Sequence, residues 1–326
     1  VKLVTGDFPG TAKNIAGQVG LRHCEQDVTG DQVMQASGTE LRQLAHRTAL
    51  FARMFPEAKL KLVNALKDGG NVVAMTGDGV NDGPALKSAH IGIAMGKKGT
   101  EIARHAADLI LTDDRPGKIT DAIEQGRKIY NNLKKAIRYI ISIHIPIILT
   151  VMLPLLLGWK YANIFTPIHI IFLELIMGPT CSIFFEQEPA ESNILNIGPR
   201  KAGPGIFSSS ELFVSIIQGI VMTIGLLVVY YYFMVQDFTM EYTRTMVFIT
   251  ILLCNVFLTF TNRSFEKTMI ETMRYKNRFV PLVLGISIVF ISSLLFVPPL
   301  QKLFYLTPIR PLHFIFGLGI SILSAG

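Results

Sequence analysis

The sequence predicts two bodies in one chain: an α/β segment built on a parallel sheet, followed by an all-α membrane bundle of six helices. Three observations carry this expectation. The first 130 residues are mixed and charged, whereas the remainder is apolar enough to lift the chain to 50% hydrophobic residues and a mean hydropathy of +0.41. The first part alternates short apolar runs with helical periodicity, the pattern of a doubly wound sheet. The second part holds six apolar segments, most near the ~20 residues that span a bilayer. Boundaries fall at residues 1–117, 118–136 for a connecting helix, and 137–326.

Lys2 to Val4 reads as a strand that ends in Thr5, Gly6 and Asp7, and Ala12, Ile15, Ala16 and Val19 give a helix closed by Gly20. A less regular stretch follows. Ala49 to Ala52 is a strand, and Pro56 opens a helix with Leu60, Val63 and Leu66 on one side and Lys59 in its first turn. Asn71 to Met75 is a short apolar run flanked by glycines, which suits a buried parallel strand. Its end carries the chemistry. Gly77 and Gly79 let the backbone turn tightly; Asp78 and Asp82, with Asn81 between them, offer the hard oxygen ligands that Mg²⁺ prefers. Pro84 then opens a helix. Carboxylates just beyond the carboxyl end of a parallel strand lie where open α/β sheets bind ligands. Ile91 to Ala94 and Leu109 to Leu111 are further strands, with a turn at Gly96 to Gly99 and a helix over Thr100 to Ala107 between them.

From Lys118 the periodicity changes. Ile119, Ile123, Gly126, Tyr130, Leu133 and Ile137 recur at helical spacing and pass without a breaker into apolar sequence, so one helix joins the two bodies. The apolar segments run from Ile137 to Leu157, Ile164 to Phe185, Leu212 to Val235, Met246 to Thr261, Phe279 to Val297, and Ile309 onward. The loops expected inside carry Arg200, Lys201, Arg263, Lys267, Arg274, Lys276 and Arg278. Those expected outside carry chiefly Lys160, Arg244 and Lys302, an asymmetry that predicts a cytoplasmic soluble part. Glu174 lies halfway through the second segment, ahead of Gly178 and Pro179, and the first carries Ser142, His144 and Pro146. A carboxylate at that depth is costly unless it meets a cation or a partner, and helix breaks that free carbonyls recur in transport sites. Gln218 and Asn255 read as packing hydrogen bonds.

Net charge is +7, but no basic run is interleaved with aromatics, so no nucleic-acid partner is expected; membrane topology accounts for the charge. Cys24, Cys181 and Cys254 are far apart and predict neither a disulfide framework nor a zinc site. Val1 is not preceded by a Met or followed by a charged-then-apolar leader, and the sequence reads as part of a longer chain.

Ala74 to Lys87, AMTGDGVNDGPALK, resembles the hinge motif TGDGVNDAPALK of P-type ATPases, the pumps that pass through an aspartyl phosphate. The sequence departs at Gly83, where the family usually has Ala. TGD at Thr5 to Asp7 resembles the second phosphate-binding motif of the haloacid-dehalogenase-like fold those pumps share, and FARMFPEAKLKLV resembles the segment whose Lys, here Lys59, neutralises the phosphorylated aspartate. The resemblance implies ATP as substrate and Mg²⁺ held partly by Asp78. It further implies phosphoryl contacts from Thr5, Gly6, Asp7 and Lys59, a phosphate donor in Asn81, and a supporting role for Asp82. A chain without the DKTGT aspartate, the nucleotide-binding and actuator domains and the earlier spans cannot turn over alone; the resemblance makes those amino-terminal domains its partners, beside a transported cation and membrane lipid.

Six spans resemble the calcium, sodium-potassium, proton and flippase branches, not the heavy-metal branch, and GVND resembles ion pumps more than the GAND of flippases. IRYIISIHIPI and LELIMGP align with spans that carry calcium ligands. There Glu174 and His144 replace amide ligands, Ile147 and Gly178 occupy acidic positions, and Leu252 stands where a fourth-span acid occurs. The expectation is a bacterial plasma-membrane cation pump of calcium-pump type, with Glu174 and His144 at the transported ion and Ca²⁺ ahead of Mn²⁺ and H⁺. The alternatives are proton or lipid translocation by the same cycle, or a catalytically dead membrane regulator.

Overall fold

The computed structural model describes residues 1–179, 183–191, 193–198, 207–265, 269–272 and 277–326. The chain divides into two compact units, Val1–Asp121 and Ala122–Gly326.

In the first unit β1 (Leu3–Val4), α1 (Pro9–Gln18), β2 (Asp27–Thr29), α2 (Gly30–Gln35), α3 (Gly38–Arg47), β3 (Leu50–Ala52) and α4 (Pro56–Asp68) come first. β4 (Ala74–Gly77), a 3-10 turn at Val80–Asp82, α5 (Gly83–Ser88), β5 (Ile91–Met95), α6 (Glu101–Ala106) and β6 (Leu109–Leu111) follow. All strand pairs are parallel, in two three-stranded sheets ordered β1-β3-β2 and β4-β5-β6. The single continuous sheet expected from the sequence is therefore corrected. The β1 and β4 edges both border a groove of about 540 Å³ whose floor is Lys59, Leu62, Val63 and Leu66 of α4.

β3 shows why the strands read as short apolar runs: it is covered on both faces. Leu50 and Ala52 pack on Ala12 and Ala16 of α1, while Phe51, pointing the other way, packs among Val33, Leu41, Ala58 and Leu62. β2, α2 and α3 were not foreseen. Both helices open on capping boxes, Thr29 with Gln32 and Ser37 with Glu40, each satisfying two otherwise orphaned backbone donors. β4 lies further along than Asn71 to Met75. Val73 is spent outside the ladder, its carbonyl accepting from His90 N and Ile91 N at 2.9 and 3.2 Å.

α7 (Lys118–Leu156) is one uninterrupted helix of 39 residues that tolerates Pro146 and Pro154 inside it. α8 (Pro167–Pro179), α9 (Ser209–Val235), α10 (Met240–Thr261), α11 (Met269–Thr272), α12 (Val280–Phe296), α13 (Pro298–Leu303) and α14 (Pro311–Ala325) complete the second unit. Among the described residues α7, α9 and α10 are long and apolar enough to cross a membrane; α8, α12 and α14 are apolar but shorter. The second span, expected to Phe185, is helical as α8 to Pro179 and again over residues 183–186, and residues 180–182 lie outside the described residues. So do Cys181, Arg200, Lys201, Lys267, Arg274 and Lys276 of the sequence analysis.

α10 is the centre of its unit, with Met246, Val247, Phe248 and Ile251 fully buried, and packs chiefly on α14 and α9. Small residues set close approaches here, as is common between membrane helices: a Cβ on Gly317 of α14 would lie 2.8 Å from Thr250 Oγ1 of α10, and one on Gly219 of α9 would lie 2.7 Å from Ile145 Cβ of α7. Asn255 accepts from the Tyr139 hydroxyl, and Gln218 from Ser142 Oγ at 3.2 Å, the packing roles expected of both. Arg244, read from the sequence as a loop charge, sits inside α10 and is buried. Its Nε donates to the Ile164 carbonyl at 2.6 Å.

Candidate functional site

The sequence-selected residues of the first unit gather beyond the carboxyl ends of β1 and β4. β4 ends at Gly77, and no side chain fits there: a Cβ would lie 2.5 Å from Asp82 Cβ and 2.9 Å from its Oδ2. That close approach seats the Asp82 carboxylate under the turn, where Oδ2 accepts from the backbone N–H of Asp78 and of Gly79, both at 3.3 Å. Oδ1 pairs with Lys59 Nζ at 2.6 Å. Both side chains are largely buried, at 13% and 10% exposure, so the pair is less screened than a surface one. Asp82 thus fixes the loop and holds the Lys59 ammonium beside the groove. Asp78 keeps its own carboxylate exposed, and its carbonyl accepts from Thr100 N at 2.8 Å, tying the turn to the start of α6.

At the end of β1, Thr5 Oγ1 donates to Asp7 Oδ2 at 3.0 Å and accepts from Asp7 N at 3.2 Å. Backbone bonds from Met54 N to Thr5 O and from Arg53 N to Asp7 O, both 2.9 Å, hold the Thr5-Gly6-Asp7 turn on the end of β3. Gly6, Asp7 and Asn81 are exposed. The structure brings Lys59, Asp78 and Asp82 together; no hydrogen bond joins Thr5, Gly6, Asp7 or Asn81 to them. An exposed carboxylate on a glycine turn beside a lysine fits Mg²⁺, whose preferred ligands are one or two carboxylates, phosphate oxygens and water.

In the second unit His144 of α7 and Glu174 of α8 meet, Nε2 to Oε1 at 3.0 Å. Nδ1 lies 2.8 Å from the Ile140 carbonyl, which only accepts, so Nδ1 carries hydrogen and Nε2 is the nitrogen turned to Glu174. The sequence leads one to expect a buried acid; the pair instead lies on an uncovered face of this unit, 39% and 52% exposed.

The sequence analysis missed a cluster where the segment after α8 meets α7 and the ends of α10 and α12. Glu188, fully buried, accepts from Arg263 Nε at 2.8 Å and from Asn277 Nδ2 at 2.7 Å. Lys135 of α7 pairs with Glu191 at 3.0 Å, Asn132 donates to the Glu188 carbonyl at 2.8 Å, and Arg127 donates to the Ile194 and Ile197 carbonyls, both at 2.7 Å. The signal was available: Glu186, Glu188 and Glu191 crowd the end of an apolar segment, and basic residues stand on α7.

Residues 162–326 match the family described as the cation transporting ATPase carboxyl-terminus, and residues 1–90 match haloacid dehalogenase-like hydrolases. The chain belongs to the P-type cation-transporting ATPases. It is 34% identical over 322 residues to calcium-transporting ATPase 1 of Bacillus cereus, covering 93% of this chain and 36% of that protein. Calcium-transporting ATPase 1 of Lactococcus lactis is 34% identical over 303 residues, with 93% and 34% covered. Human calcium-transporting ATPase type 2C member 1 is 33% identical over 323 residues, with 98% and 35% covered. The chain spans about a third of the length of these relatives. Membership gives the loop at Asp78 and the parallel sheets their setting, that of the haloacid dehalogenase-like part of a P-type ATPase, and places the apolar helices in the family's carboxyl-terminal membrane part.

Proposed function

We propose that the chain is the carboxyl-terminal part of an ATP-driven cation pump that forms and hydrolyses an aspartyl phosphate and moves a cation, Ca²⁺ first among the candidates, across the membrane. The observation that carries the reading is the Asp82-centred loop: one buried carboxylate holds both the Asp78 turn and the Lys59 ammonium at the mouth of the groove between the two sheets. That groove has a strand edge on each side, β1 and β4. A strand supplied by the rest of the pump would join the two sheets and deliver its carboxyl end, with the phosphorylated aspartate, to Thr5, Lys59 and Asp78.

Mg²⁺ bound there would be held by Asp78 and would offset charge on the transferring phosphoryl group. Lys59 adds a fixed positive charge, Asp82 keeps it in place, and Thr5, Gly6, Asp7 and Asn81 offer donors at the loop ends. Such positioning and electrostatics are most of what a protein contributes to phosphoryl transfer. The bundle is read as six spans, with residues 1–117 cytoplasmic in a bacterial plasma membrane and α7 as the link from chemistry to the bilayer. His144 and Glu174 then mark the cation path, a breach in otherwise apolar helices. The names of the relatives put Ca²⁺ first; Mn²⁺ and H⁺ follow.

The test is ATPase activity of the full-length pump in lipid against Ca²⁺, Mn²⁺, Mg²⁺, Na⁺ and K⁺ at several pH values, beside Glu174→Gln. Stimulation by a cation that the variant loses supports the reading. Activity that ignores every cation and follows only pH or lipid refutes it in favour of proton or lipid transport.

A further inference from the structure

Resting on the reading of His144 and Glu174 as part of the cation path, we propose that His144 determines which cations the path accepts. The His144–Glu174 pair is a mixed nitrogen and oxygen donor set that, against the order suggested by the relatives' names, takes a divalent cation of the first transition row ahead of Ca²⁺.

The geometry is that of an imidazole prepared to ligate. A metal-binding histidine almost always gives its second ring N–H to a carbonyl or carboxylate, which fixes both tautomer and ring orientation. His144 does so, Nδ1 to the Ile140 carbonyl at 2.8 Å, and Nε2 shares a proton with Glu174 Oε1 at 3.0 Å, a proton that an incoming cation would displace to free both donors. Two neighbouring ligands at right angles, each ~2.1 Å from an ion, stand ~3.0 Å apart, the separation of Nε2 and Oε1 here. Both side chains are open to an incoming ion, at 39% and 52% exposure.

Donor type then decides the class. Ca²⁺ takes oxygen ligands only, in sets of six to eight, whereas imidazole suits the first-row transition ions. A calcium site built on these two residues would waste one of them. Among the described residues no third His, Cys, Asp or Glu joins the pair, so imidazole is half of the side-chain donor set and its identity weighs heavily.

The experiment uses the full-length pump in lipid with Mn²⁺, Co²⁺ and Ca²⁺ as probes. Mn²⁺ bound in the absence of ATP is examined by pulsed EPR, where a directly bonded imidazole shows as ¹⁴N coupling; cation-stimulated ATPase is measured for the unaltered pump, His144→Asn and Glu174→Gln. Expected are ¹⁴N coupling in the unaltered pump, its loss in His144→Asn, and half-stimulation by Co²⁺ and Mn²⁺ at concentrations at least about tenfold below that for Ca²⁺. The asparagine amide oxygen should shrink that ratio by about tenfold or more. Bound Mn²⁺ without ¹⁴N coupling overturns the inference and needs no variant. So does a preference for Ca²⁺ that His144→Asn leaves unchanged while Glu174→Gln abolishes stimulation, a result that keeps the cation path and removes only the role of His144. Stimulation by every cation undiminished in Glu174→Gln overturns the path and the inference together.

Discussion

Replacing Glu188 by glutamine keeps the shape of the side chain and removes its charge, and the structure sets the cost. The carboxylate is fully buried with Arg263, both at 0% exposure, 2.8 Å apart. Its second oxygen accepts from Asn277 Nδ2 at 2.7 Å. A glutamine accepts through one oxygen only and turns an NH₂ group toward either Arg263 Nε or the Asn277 amide, both donors. The guanidinium loses the charge of its Glu188 partner in a place water does not reach. Removing one partner of a buried pair costs about 3–5 kcal/mol. For a unit of this size each kcal/mol shifts Tm by about 2–4 °C, so a fall of roughly 6–20 °C is expected. Trp159 is the chain's one tryptophan and stacks on Tyr230 with ring centroids 4.9 Å apart, so its fluorescence in detergent follows unfolding of the second unit. Glu188→Leu combined with Arg263→Leu should recover at least about half the loss, since an apolar replacement of a whole buried pair is often neutral. A Glu188→Gln shift below about 2 °C, or a double variant as low as the sum of its singles, would refute the reasoning.

Two further outcomes follow from the first unit and from α7. Gly77→Ala places a methyl group 2.5 Å from Asp82 Cβ; overpacking of about 1–3 kcal/mol displaces the carboxylate from Lys59, and phosphoenzyme formation by the full-length pump should fall by roughly 5- to 150-fold, whereas an unchanged rate would show that the seat of Asp82 does not matter. Inserting two glycines beside Gly126 interrupts the unbroken α7 at an exposed position; ATP hydrolysis should persist while cation uptake into vesicles collapses, and undiminished uptake would remove α7 as the link.

What the sequence made legible in the first unit was the chemistry more than the ladder. TGDGVND fixes its own geometry, because glycine at position 77 is the only residue that lets Asp82 fold back under the turn, and Lys59, singled out by the resemblance of its segment, has its partner in Asp82. The strands were harder. β2 has three residues, too few for a periodicity, and α2 and α3 are short, yet their capping boxes at Thr29 and Ser37 were readable as start signals. The division into two sheets was not legible at all, since each strand looks the same whether its neighbour comes from this chain or from elsewhere.

In the second unit length misled where polarity was informative. The polar start of α10, MEYTRT, reads as loop because Arg244 belongs at an interface, but three backbone carbonyls, of Ile164, Tyr305 and Asn163, surround its guanidinium and make a buried place for it. Long-range acceptors of that kind leave no trace in local sequence. His144 and Glu174 are the opposite case: each interrupts an apolar run ahead of a proline, so each was visible alone, and the cost of a lone carboxylate in a membrane called for a partner such as the one it meets thirty residues away. What the sequence could not give was the tautomer. Only the Ile140 carbonyl, one turn before His144, shows that Nδ1 carries hydrogen while Nε2 meets Glu174. On the reading proposed above, that bond, which points away from Glu174, readies Nε2 for a cation.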